Sequence, residues 1–126
     1  MSDYDINKLT GTVIGCAIEV HKTLGPGLLE SVYEGCLCHE LKMKELPFER
    51  QKPLPIFYKG MRLDCGYRLD IVVDKRLIVE IKACEEILPI HEAQILTYLK
   101  LTGISTGLLI NFNTPVLKNG IRRFKL

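Results

Sequence analysis

The sequence predicts an α/β (α+β) fold, a mixed β-sheet flanked by helices in the element order ααβββαββ. Three observations carry that prediction. Residues 5–44 hold two helical stripes separated by a Gly-Pro-Gly turn. Residues 69–82 hold two runs of Val, Ile and Leu about a polar break, the pattern of a hairpin. Residues 83–105 contain a helical stretch long enough to return the chain to a parallel strand. At 126 residues the chain is expected to form a single domain, residues 1–126, around one core.

Taken in order, residues 5–24 place Ile6, Leu9, Val13, Cys16, Ala17, Val20 and Leu24 at three- and four-residue spacing, a helical stripe. Gly25, Pro26 and Gly27 stop that helix, since glycine suits the C-terminal cap and proline cannot continue it. A second helix follows over residues 28–44, with Leu29, Val32, Tyr33, Cys36, Leu37 and Leu41 expected to face inward. From Phe48 to Tyr58 polar and apolar residues alternate, and Pro53 and Pro55 confine that strand to an edge or a bulge. Lys59 and Gly60 read as a turn into residues 61–65, with Gly66 at a bulge before the hairpin. After Pro89 a helix is expected over residues 90–101, capped by Gly103. Residues 107–112 read as a buried strand, and residues 121–126 as a last edge strand after a polar turn.

Composition excludes several classes. No stretch approaches the ~18 consecutive apolar residues of a membrane span. The first five residues lack the basic start and apolar segment of a secretory signal, so a cytoplasmic location is expected. Five cysteines without a signal argue for reduced thiols, and the missing Cys-x-x-Cys spacing argues against a zinc or iron–sulfur site. A net charge of +2 neither demands nor excludes nucleic acid. Lys118, Arg122, Arg123 and Lys125 concentrate positive charge in the tail, where they suit either phosphate contact or a guarded edge strand.

The hairpin is where candidate chemistry gathers. If Asp74, Lys75 and Arg76 form a three-residue loop, Val73 faces Leu77 and Asp70 faces Glu80. Side chains alternate along a strand, so Asp70, Glu80 and Lys82 share one face. The other face, with Leu69, Ile71, Val73, Leu77, Val79, Ile81 and Ala83, is assigned to the core. Two carboxylates directly opposite each other repel by about 0.2–1 kcal/mol. A hard divalent cation removes that penalty, because Mg²⁺ binds through one or two carboxylates plus water and substrate phosphate. Lys82 would then lie beside the ion, able to stabilise developing negative charge or orient a water. On spacing alone, an amphipathic hairpin with a charged wet face competes on level terms. Val72 and Ile78 count against that alternative, because they interrupt the polar face and imply a cover over it.

Other polar residues have plain structural explanations taken singly. Glu30 lies in the first turn of the second helix, where the helix dipole favours a carboxylate. His21 reads as a partner for the C-terminal dipole of the first helix, near Glu30 across the turn. Gln94 and Tyr98 stand at i and i+4, as a surface Gln beside a half-buried Tyr would.

Taken together the set is distinctive: an acid on a helix, Asp70, then Glu80-Ile81-Lys82 on a hairpin, then Gln94 and Tyr98 on a helix. It resembles the PD-(D/E)XK nuclease superfamily with its restriction-endonuclease-like fold. Gly27, Glu30 and Tyr33 match the motif that names the GxxExxY protein family, and the resemblance runs over nearly the whole chain. The resemblance implies that Asp70, Glu80 and the Ile81 backbone carbonyl ligate Mg²⁺ or Mn²⁺. It implies that Lys82 positions the attacking water or steadies the transition state. Glu30 would complete the acidic cluster, directly or through water. Gln94 and Tyr98 would bind the substrate strand, as in the exonucleases attached to recombination helicases. His21 receives no role from it.

The implied function is metal-dependent hydrolysis of phosphodiester bonds, with DNA expected over RNA. A homodimer or a partner protein is expected as well, since single DNA-binding modules bury about 600–1,000 Å² and this chain offers little surface. A non-catalytic nucleic-acid-binding or regulatory subunit that retains the fold is the alternative. A purely structural protein with decorative carboxylates is a third reading, and it predicts no response to Mn²⁺.

Overall fold

The computed structural model describes residues 3–126, with side chains from Asp5 onward, so Met1 and Ser2 of the signal-peptide reading lie outside the described residues. Helix α1 (Asp3–Leu24) and helix α2 (Glu30–Met43) are followed by strands β1 (Phe48–Pro53), β2 (Ile56–Tyr58), β3 (Met61–Leu63), β4 (Arg68–Val73) and β5 (Leu77–Lys82). Helix α3 (Pro89–Thr102), strand β6 (Thr106–Asn111), a 3₁₀ turn (Leu117–Gly120) and strand β7 (Ile121–Lys125) complete the order. A five-stranded sheet runs β1-β4-β5-β6-β7, and β2 pairs with β3 in a separate two-stranded sheet. Only β5 and β6 run parallel; the other neighbours in the large sheet are antiparallel. Set aside the small β2–β3 sheet and the expected order ααβββαββ remains.

The sheet is the middle of three layers. One face carries Ile71, Val73, Leu77, Val79, Ile81, Leu108 and Ile110 against the stripes of α1 and α2. The other carries Val72 and Ile78 against Tyr98 and Leu99 of α3, so the cover implied by those two apolar residues is α3. Gly107 lets α3 sit close, because a Cβ there would come within 2.9 Å of Ile95 Cδ1.

Four expectations are corrected. The strand expected from Phe48 to Tyr58 divides between two sheets, because Pro53 and Pro55 lack the N–H that would continue the β1 ladder. Leu69 packs with Leu54, Val72 and Ile78 instead of the α1–α2 side, drawn there by Leu54, whose amide donates to Tyr67 O at 2.9 Å. In α2 the inward side is Tyr33, Glu34, Leu37, Cys38 and Leu41, whereas Leu29 and Val32 are exposed. Leu29 is the N-cap and has not yet entered the helix, so the helical period does not govern its side chain. Leu24, at the other end of the α1 stripe, is also exposed, next to the chain-reversing Gly25 with φ 69°.

Candidate active site

The hairpin has the register the sequence implies. Ile71 pairs with Val79, Val72 with Ile78 and Val73 with Leu77, so Asp74, Lys75 and Arg76 form the loop. One step beyond that ladder stand Asp70 and Glu80. There the backbone pairing between β4 and β5 has ended, and the Ile81 amide donates to Asp70 Oδ2 at 2.8 Å. A residue in an extended strand turns its N–H and C=O toward the same neighbour, so the Ile81 carbonyl faces the Asp70 side as well.

Glu80 is only 4% exposed, and its Oε1 has no hydrogen-bond partner among the described residues. Its carboxyl is pushed up to about 9, first by burial and then by the charge of Asp70 and a hydrogen bond shared with it. The nearby Lys82 ammonium works in the opposite direction. A buried oxygen without a partner costs about 1–3 kcal/mol, so this arrangement is costly unless something cationic completes it. A coupled carboxylate pair with one open oxygen is the donor set a hard divalent ion takes up. Among the described residues no group of three or more His, Cys, Asp or Glu side chains is close enough to hold a metal. The donor set is therefore the pair itself, within the one or two carboxylates that Mg²⁺ uses.

Helix α3 brings two more groups to this point. Burial raises the Tyr98 hydroxyl above its ordinary pKa, followed by the charges of Glu80, Tyr67 and Asp70. A hydrogen bond from Gln94 works the other way, and both residues line one groove, so the i, i+4 pair does share one face, with Tyr98 near the carboxylates. The Lys82 side chain is half-buried and makes no hydrogen bond or ion pair among the described residues. It lines a groove of about 770 Å³ together with Tyr67, Ile90, Gln94, Tyr98 and Leu101.

Glu30 is not drawn into this group. It is exposed at the start of α2 and makes no hydrogen bond or ion pair among the described residues. It does lie at the same end of the sheet as Lys82. Tyr33, one turn on, stacks on Phe112 with centroids 4.5 Å apart, and the Phe112 amide donates to Lys82 O at 2.9 Å. The Tyr33 hydroxyl donates to Gly25 O at 2.7 Å and accepts from the Leu28 amide at 3.1 Å, which holds the Gly-Pro-Gly turn against this end. The His21 ring is engaged by Thr114, with Nε2 2.7 Å from Thr114 O, and so ties α1 to the segment after β6.

Sequence reasoning missed three supporting residues. Asn111, paired with Lys82 across the parallel strands, is buried and donates to Cys84 O while accepting from the amides of Cys84 and Asn113. A polar residue closing an otherwise apolar strand was the available signal. Glu34 is buried and accepts from Arg50 Nε and Gln51 Nε2, each at 2.7 Å, which ties α2 to β1. Tyr67, beside Tyr98, precedes β4 in an irregular segment where no periodicity marks it.

No curated protein and no solved structure matches the chain. A family model described as the PD-(D/E)XK nuclease superfamily matches residues 7–124. The mixed sheet between helices is consistent with the restriction-endonuclease-like fold, and the match spans nearly all of the sequence. This chain belongs to the PD-(D/E)XK nuclease superfamily.

Proposed function

We propose that this protein is a metal-dependent nuclease of the GxxExxY type that hydrolyses phosphodiester bonds in DNA. The observation that carries the reading is Glu80, buried beside Asp70 with one oxygen unpartnered among the described residues and Lys82 near it. Asp70, Glu80 and the Ile81 carbonyl would hold Mg²⁺ or Mn²⁺. Such an ion supplies Lewis acidity toward a phosphoryl oxygen and lowers the pKa of bound water. Glu80 must release its proton to serve as a ligand, and Lys82 both favours that release and offers positive charge to the phosphorane. Gln94 and Tyr98 orient the strand from α3. Glu30 takes part through water from the start of α2. A cytoplasmic location and a homodimer or partner protein belong to the same reading.

Labelled single- and double-stranded DNA, incubated with the protein in Mg²⁺, Mn²⁺ or EDTA, tests it. Cleavage should require metal and should fall by at least about 10²-fold in Lys82→Ala, the loss typical of removing one transition-state stabilising group. Asp70→Asn, which keeps an oxygen for the Ile81 amide, should be similarly inactive. Cleavage that survives both substitutions would refute the site. A folded protein that binds DNA without cleaving it, equally well with Asn at position 70, would be a non-catalytic binding subunit.

A further inference from the structure

We infer that the β2–β3 hairpin and α3 form a clamp for an unpaired stretch of nucleic-acid strand, which makes single-stranded segments the preferred substrate. The inference rests on the nuclease reading for its meaning but on different residues for its evidence. In the two-stranded sheet Ile56 pairs with Leu63 and Tyr58 with Met61, so these four side chains share one face. Ile56 lines the groove that contains Lys82, so this face meets the groove at Ile56 and extends it outward through Tyr58 and Met61. The wall is open: Tyr58 is 58% and Met61 53% exposed, and the hairpin pairs with no other strand among the described residues. The opposite wall is α3, where Ile90 is 68% exposed and Leu101 43%.

Charge and shape choose the occupant. Among the described residues no carboxylate lines the groove, and its one lysine is Lys82. Lys59 Nζ stands 5.4 Å over the Tyr58 ring, which adds a cation along the same wall. Arg62, in contrast, lies over Phe57 on the far face and pairs with Asp64 at 3.1 Å. Apolar and aromatic walls with cations at the floor and rim suit bases that stack and a backbone that is anionic. A duplex hides the faces of its bases and offers these walls nothing to stack on. The groove volume of about 770 Å³ is within the ~300–1,000 Å³ of small-ligand sites, room for a short run of nucleotides. Its floor residues Lys82 and Tyr98 continue directly into the Asp70–Glu80 site.

The test is fluorescence anisotropy of the full chain in EDTA with fluorescein-labelled oligothymidine, a duplex of the same length, and an abasic strand. Single-strand affinity should exceed duplex affinity by at least about tenfold, as loss of one stacked base implies. The abasic strand, the double variant Tyr58→Ala/Met61→Ala, and Tyr67→Ala should each weaken single-strand binding by about tenfold. These side chains are exposed, so the variants should melt as the parent does. Equal affinity for strand and duplex would overturn the inference. So would single-strand binding indifferent to the variants or to the bases, which would leave the groove to an apolar peptide. Cleavage run in parallel separates the two readings: metal-dependent cleavage without hairpin-dependent binding refutes the clamp alone. Hairpin-dependent binding without cleavage refutes the nuclease alone.

Discussion

At Glu80 the direction of the pH effect can be worked out. Its carboxyl keeps its proton in the fold up to about 9, whereas the ordinary value is 4.5. The unfolded chain thus ionises first, and folding takes up a proton between these two values. The metal-free protein should therefore lose stability as the pH rises from 4.5 toward 9. Thermal melts across that window should show a decline in the parent and a flatter profile in Glu80→Gln. Identical slopes would mean that Glu80 is solvated and not held as described. Tyr98 adds nothing in that range, because a tyrosine raised above its ordinary value stays neutral there.

Among the elements, α3 and β6 fit closely. Gly107 faces Ile95 Cδ1 and Leu99 Cδ2, and a Cβ would stand 2.9 Å and 3.4 Å from them. Both neighbours are fully buried, so neither can yield without disturbing the layer. Gly107→Ala should cost about 1–3 kcal/mol, the range for overpacking a well-filled core. Urea unfolding measures the loss, and adding Ile95→Val, which removes the clashing methyl, should recover part of it. If the double variant is no better than the single, the strain lies elsewhere. The same helix carries Tyr98 beside the carboxylates and Gln94 into the Lys82 groove, so a shift of α3 should also slow any cleavage.

For the whole molecule, both apolar layers share β4 and β5, through Ile71, Val73, Leu77, Val79 and Ile81 on one face and Val72 and Ile78 on the other. Neither helical layer can leave without exposing those strands. We expect one cooperative unfolding transition, coincident by far-UV circular dichroism and tyrosine fluorescence. Mn²⁺ at a hundredfold excess over its dissociation constant should stabilise the fold by about 2.7 kcal/mol, and Asp70→Asn should abolish that gain. Two separated transitions would mean the chain is not one domain. Stabilisation that persists in Asp70→Asn would place the ion away from the carboxylate pair. No helix among the described residues is long and apolar enough to cross a membrane.

What the sequence by itself determined is local: helical stripes, the Gly-Pro-Gly stop, and a hairpin whose three-residue loop implies that Asp70 faces Glu80. These depend on neighbours a few positions apart, where period and turn chemistry leave little freedom. Only the tertiary structure decided what covers the polar face of that hairpin. Glu80 is buried because Val72 and Ile78 dock on α3, a contact between segments some twenty residues apart that no local pattern encodes. Pro53 and Pro55 mark where the proline-rich stretch breaks, but that the part beyond them pairs with Met61–Leu63 in a sheet of its own was likewise decided by the tertiary structure. Burial by a distant helix is what turns a pair of facing carboxylates from surface charge into a coupled pair that holds a proton.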